Sequence, residues 1–232
     1  MSILSLIKKI LVLVMILALP GFLYYLLTVK GKNRYHSLPK FGPKMLAKTT
    51  HRVKGKDIPD TIYHTLGDFH LVDQDGKPVS LKSFDGKIFI ANFFYTHCPT
   101  VCNEMNANMD SLAQAWAKNK MVYFASITVD PGRDSVKALN TYFKRFKPEP
   151  KWSFLTGDTS TIYPLARQGF LVNAVQTDKD DFIYSDKLML IDQHKRIRGY
   201  YSGTSATDVT RLNDEIKVLV QEELLNREDP LY

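Results

Sequence analysis

The chain has 232 residues, 44% of them hydrophobic, a size that suits one membrane segment and one globular domain with a sizeable core. Its 31 Lys and Arg against 24 Asp and Glu give a net charge of +7. Much of that excess falls in the first sixty positions beside an apolar run, which suits a surface flanking a membrane; no basic helix interleaved with exposed aromatics follows, and this excludes a nucleic-acid footprint.

After a short N-terminal segment, residues 1–9, the stretch Ile10 to Val29 reads ILVLVMILALPGFLYYLLTV and holds no charge. About twenty such residues cross a bilayer core of roughly 30 Å. Lys8 and Lys9 precede the run, and Tyr24 and Tyr25 stand toward its far end, where interfacial aromatics belong. Pro20 and Gly21 offer a kink or the end of a signal peptide's apolar region. The run continues past them without a small-x-small cleavage site, so a retained transmembrane anchor over residues 10–29 is expected. No early cysteine is present for lipidation.

Residues 30–60 are basic, with Pro39, Pro43 and Pro59 and no clear period, and read as a linker running into the first edge strands. A domain is expected over 61–226, with 227–232 as a tail. It opens with Phe69 and Leu71, and Val79 and Leu81, flanking Asp73-Gln74-Asp75-Gly76, a β-hairpin pattern. Asp85-Gly86 then turns the chain into a strand over 87–95, an apolar run rich in aromatic and β-branched residues.

That strand delivers the two cysteines of the chain, Cys98 and Cys102, in the sequence FIANFFYTHCPTVC. Pro99 suits the first turn of a helix, where a missing N–H costs nothing. The pair therefore sits at a strand-to-helix junction. Unpaired N–H groups there favour thiolate over thiol and make Cys98 the more nucleophilic of the two. A spacing of four turns both sulfurs the same way in a helix, so the pair can close a disulfide or chelate one soft metal ion. Two thiolates suffice for nearly linear Cu(I) but not for tetrahedral Zn. Two buried structural cysteines are the plainer alternative.

Met105, Met109, Leu112, Ala113 and Trp116 recur at helical spacing and predict a helix from Asn103 to about Lys118. The two methionines read as core filling or as thioether ligands for copper. A strand over 121–129 follows, then a helix from Ser135 to about Phe146 with Asp134 or Ser135 as its cap. A short strand over 152–155, a short helix over 160–168, a hairpin of 188–192 with 197–201, and a closing helix through Val209, Leu212, Ile216 and Leu219 complete the order, with Thr207 or Asp208 near the last N-cap. Alternating β and α units with a terminal hairpin imply an α/β fold: a central mixed sheet flanked by helices, thioredoxin-like, preceded by one transmembrane helix.

At this point FFYTHCPTVC, followed by SITVDPGRDS and a final hairpin and helix, resembles the SCO/SenC family of membrane-anchored thioredoxin-like proteins. The resemblance implies delivery of copper to the CuA site of cytochrome c oxidase, and a single-pass anchor in the cytoplasmic membrane with the C-terminal domain facing the periplasm or extracytoplasmic side. It also implies copper, Cu(I) or Cu(II), held by Cys98, Cys102 and a histidine a few residues before the last hairpin. This sequence departs from the pattern at that histidine: aligning LMLID places it at Tyr184, within DDFIYSDKLMLID, and there is no histidine between His97 and His194. A phenol is a poor copper ligand beside imidazole, so the change should weaken binding, particularly of Cu(II). Asn103, where the family commonly has proline, is a second departure.

His97 adjoins Cys98 and is the candidate substitute ligand, or an acidifier of that thiol. His194 reads as a turn residue, and His64 and His70 as surface or edge residues. Asp186, near the Tyr184 loop, offers only a hard oxygen. Asp130, Arg133 and Asp134 match the family motif, with a helix cap and an ion pair as the plainer account. The expected function is a membrane-tethered copper chaperone acting on an oxidase subunit or another copper or thiol client, without nucleic acid and as a monomer. The alternative is a thiol-disulfide oxidoreductase in which Cys98 attacks a partner disulfide and Cys102 resolves the mixed species. A thiol peroxidase, and a relic with structural cysteines, are the remaining readings.

Overall fold

A computed structural model describes residues 3–25, 37–53, 55–98, 100–146, 150–176 and 182–228. The chain divides into two units, Met1–Ser37 and Leu38–Tyr232. In the first, helix α1 spans Ile3–Tyr25 and passes through Pro20 without a break. Its Ile7–Tyr25 segment, with mean hydropathy 2.0, is long and apolar enough to cross a membrane. Positions 26–29 of the expected span lie outside the described residues.

The second unit begins with strand in the stretch expected as a linker. Strands β1 (Lys44–Val53) and β2 (Lys56–Tyr63) form an antiparallel ribbon around Gly55, whose φ of 82° favours glycine. Polar and apolar residues mix on both of its faces, so the ribbon has no clean period to read. Strands β3 (His70–Val72) and β4 (Pro78–Ser80) form the expected hairpin, closed at Gly76 with φ 77°.

The central sheet contains β5 (Ile88–Phe94), β6 (Val122–Thr128), β7 (Trp152–Leu155), β10 (Lys187–Ile191) and β11 (Ile197–Ser202). Its strand order is β11-β10-β5-β6-β7. Strands β5, β6 and β7 run parallel, and β10 and β11 are antiparallel. All seven residues of β5 are buried, as a central strand covered on both faces requires. The predicted thioredoxin-like mixed sheet is therefore present. Strands β8 (Ala174–Gln176) and β9 (Phe182–Tyr184) add a small antiparallel pair ahead of β10, in a stretch with no expected strand.

Helix α2 (Val101–Ala115) starts two residues before the expected Asn103 and buries Cys102, Met105, Met109, Leu112 and Ala113 at helical spacing. Each fully buried large apolar side chain contributes about 1.5–3 kcal/mol, so this one face anchors the helix that carries Cys102. Helix α3 (Val136–Phe143) is capped by Ser135, whose Oγ accepts from the Ala138 N–H at 3.4 Å. Helix α4 (Thr159–Pro164) continues as one π-type turn to Gly169. Helix α5 (Ala206–Glu228) begins after Ser205, whose Oγ accepts from the Asp208 N–H, so Thr207 and Asp208 lie in its first turn, next to the cap at Ser205. Asp208 instead accepts from the Ser202 N–H at 2.8 Å and ties the helix to β11.

Candidate functional site

Strand β5 ends at Phe94 and the chain reverses through Tyr95–Cys98, where the Cys98 N–H donates to the Tyr95 carbonyl at 3.2 Å. Helix α2 starts three residues after Cys98, and Cys102 lies in its first turn. The cysteine Cα atoms are 5.8 Å apart and the sulfurs are joined as a disulfide. Cys102 is fully buried, while Cys98 keeps 5% of its surface exposed, enough to make it the sulfur a partner reaches first. The Cys102 N–H donates to Cys98 Sγ at 3.2 Å. Cys98 sulfur thus accepts one of the orphan N–H groups at the start of α2, an arrangement that favours its thiolate once the pair is reduced. Pro99 lies outside the described residues.

The loop before the cysteines is held from below by Asp134. This fully buried side chain accepts from the Thr96 N–H at 3.0 Å, from Thr96 Oγ1 at 2.5 Å and from Thr128 Oγ1 at 2.5 Å. Among the described residues Asp134 neither caps a helix nor pairs with a cation: it fixes the Thr96 turn against the end of β6. Its neighbour Asp130 does pair with Arg133 Nε, as the plainer account expected.

A second polar chain runs beneath α2. Trp152 Nε1 donates to Ser126 Oγ at 2.9 Å, Ser126 Oγ to Asn92 Oδ1 at 2.6 Å, and Asn92 Nδ2 to Asn106 Oδ1 at 2.9 Å. Asn106 Nδ2 then donates to the Tyr142 hydroxyl at 3.1 Å, which donates to Asn103 Oδ1 at 3.4 Å. Burial raises the Tyr142 phenol above its ordinary value, so it stays a neutral donor. These bonds satisfy groups that would otherwise cost about 1–3 kcal/mol each in the core. Neither this chain nor the role of Thr96 emerged from the motif. The available signal was a polar residue inside each of two largely apolar strands, Asn92 and Ser126, which face each other in the β5–β6 register.

The other candidates separate by position. His97 is exposed, and its Nδ1 lies 3.0 Å from Thr96 Oγ1. His194 sits in the β10–β11 turn, and the pairing of Ile191 with Phe89 places that turn at the end of the sheet opposite the cysteines. Burial and the Arg196 charge hold its imidazole below the usual histidine range. The His64 Nε2 donates to the Gly169 carbonyl at 2.7 Å, and His70 is a surface residue near Asp68. Met105 and Met109 are fully buried core residues.

Tyr184 ends β9, and its side chain lies outside the described residues. Two positions on, Asp186 accepts from Ser202 Oγ at 2.7 Å and pairs with Lys187 at 3.1 Å, so its carboxylate is already engaged by these two groups. The Asp186 carbonyl accepts from the Gly203 N–H at 2.8 Å. A Cβ at Gly203 would stand 2.5 Å from Met105 Cγ, which shows how tightly this connection packs on the turn of α2 that follows Cys102. Among the described residues no group of three or more His, Cys, Asp or Glu side chains is arranged to hold a metal ion. The donor set gathered here is two sulfurs, a soft pair that matches Cu(I) and leaves a tetrahedral ion short of ligands.

The chain is similar to known proteins in sequence and in structure. The chain is 29% identical over 167 residues to the SCO1 protein homolog of Bacillus subtilis, spanning 70% of this chain and 86% of that protein. Among solved structures, BsSco, described with a disulfide switch as a member of the Sco family of cytochrome c oxidase assembly proteins, is 29% identical with a TM-score of 0.60, covering 66% of this chain and 92% of that one. Arabidopsis thaliana ScoI with copper bound is 30% identical with a TM-score of 0.58, covering 68% and 99%. The pattern that defines SCO1/SenC proteins matches residues 59–221, from β2 through most of α5, and takes in the cysteine turn and the Asp134 anchor together. This chain belongs to the SCO1/SenC family.

Proposed function

We propose that this protein is a membrane-anchored copper carrier for cytochrome c oxidase assembly, with the domain of residues 61–226 on the extracytoplasmic side and Cu(I) carried by Cys98 and Cys102. The observation that carries the reading is the sulfur pair at the start of α2, with Cys98 Sγ accepting a backbone N–H and Asp134 holding the preceding turn. The copper held by Arabidopsis ScoI and the assembly role given for BsSco support it. The anchor rests on the apolar α1 helix.

Loading requires the pair reduced: a thiol reductant supplies two electrons, the S–S bond opens, and Cu(I) displaces the two thiol protons. Transfer to the client is then ligand exchange, in which client thiolates replace these sulfurs one at a time. Tyr184 at the family's histidine position lowers affinity for Cu(II) and favours the cuprous state. His97, beside Cys98 and exposed, is the residue that would complete a third bond.

A second reading, thiol-disulfide exchange with client cysteines, is favoured by the disulfide itself and by the two-donor site among the described residues. Expression in a bacterial strain lacking its own SCO protein separates the two. The copper reading predicts restored oxidase activity with the parent and none with Cys98→Ser, with copper added to the medium compensating for the variant. Activity restored by an added small dithiol, and not by copper, would overturn it in favour of exchange.

A further inference from the structure

A groove of about 390 Å³ opens beside the cysteine turn. Thr96 and His97 form one wall, and Lys137, Thr141 and Arg145 form the other at positions i, i+4 and i+8 along and just beyond α3. Tyr142 also lines it, with the Arg145 guanidinium 5.1 Å from the ring centroid. Lys137 and Arg145 are exposed, no carboxylate lines the groove among the described residues, and neither cation has an ion-pair partner there. The two walls are joined through Asp134, which leads into α3 on one side and holds Thr96 on the other. The groove is therefore a pre-formed cationic cleft that ends at the residue next to Cys98.

We propose that this groove is the docking surface for an acidic segment of the client protein, which it seats with the client's thiols facing Cys98. The proposal rests on the client reading of the cysteine pair given above, and extends it by naming the partner's chemistry. The argument is charge complementarity. Two unpaired cations over a shallow, partly apolar cleft attract and orient carboxylates, while His97 and Thr96 offer polar contacts at the end nearest the sulfur. A carboxylate at Arg145 gains a planar fork of donors already positioned by the Tyr142 ring.

The test uses the full chain in a non-ionic detergent and a fluorescein-labelled ten-residue peptide rich in Asp and Glu without cysteine, followed by fluorescence anisotropy. The expected result is binding that weakens with salt, falls about tenfold in the double variant Lys137→Glu, Arg145→Glu, and is unchanged in the charge-matched control Lys82→Glu, Lys217→Glu. Equal loss in both double variants, or equal binding of a lysine-rich peptide by the parent, would overturn the proposal. Because the peptide carries no thiol and no copper is added, Cys98→Ser should bind it as the parent does. Failure of the copper reading would thus leave this result standing, and failure here would leave the copper reading intact.

Discussion

Asp134→Ala is the substitution that probes the support of the site most sharply. It removes the acceptor for three donors at once: the Thr96 N–H, the Thr96 hydroxyl and the Thr128 hydroxyl. The two hydroxyls can rotate toward other acceptors, whereas the amide is fixed, and an unsatisfied buried donor costs about 1–3 kcal/mol. Adding the weakened charge-assisted bonds and subtracting the recovered desolvation of the carboxylate gives a net loss of about 3 kcal/mol. In a domain of this size that corresponds to a fall in Tm of roughly 6–12 °C, read by circular dichroism. Asp134→Asn keeps one acceptor and should recover part of the loss. Both variants should also speed alkylation of Cys98 in the reduced protein, because the Tyr95–Cys98 turn loses its anchor. A Tm within a degree of the parent with an unchanged alkylation rate would refute the reasoning.

Three further outcomes are expected. Burial, with the charges of Asp192 and Glu222, pushes the Glu223 carboxyl up from 4.5 to about 7. The folded state then keeps a proton that the unfolded chain releases above about pH 4.5, so this contribution is fully present below that pH and is lost as pH rises through 7. Discounted for water reaching the rim of the cluster at Glu222, the loss is about 2 kcal/mol, and urea titrations of Glu223→Gln should show a flatter profile between pH 5 and 8. Arg198 is fully buried, pairs with Asp192 at 3.1 Å and Glu222 at 2.9 Å, and donates to the Leu38 and Pro39 carbonyls; Arg198→Ala removes this cation from both acids, leaves Asp192 its Arg196 partner at 2.8 Å, and should cost about 3 kcal/mol by the same titrations. Gly203→Ala forces Met105 away from the Asp186 connection and should cost about 1–3 kcal/mol, with no loss if the Met105 side chain relaxes freely.

The sheet strands were legible because fully buried parallel strands read as continuous apolar runs, and the period of α2 and α5 is set by one buried face. Helix ends were less so, since whether Ser205 or Asp208 takes the cap depends on what β11 offers nearby. The β1–β2 ribbon was hidden because it buries little and so carries no alternation. The cysteine pair announced itself by spacing. Its anchor did not: Asp134 meets Thr96 across 38 positions of sequence, and only the parallel register of β5 with β6 brings them together. His194 lies in the turn of the last hairpin, and the antiparallel course of β10 carries that turn to the end of the sheet far from the cysteines.

The central claim, that Cys98 and Cys102 carry copper, is tested most directly by anaerobic Cu(I) titration of the reduced chain against a competing chelator. The account predicts one-to-one binding that is lost in Cys98→Ser and in Cys102→Ser and weakened in His97→Ala, while a parallel Cu(II) titration should show tighter binding in Tyr184→His than in the parent. Parent binding no tighter than that of the two serine variants would contradict it.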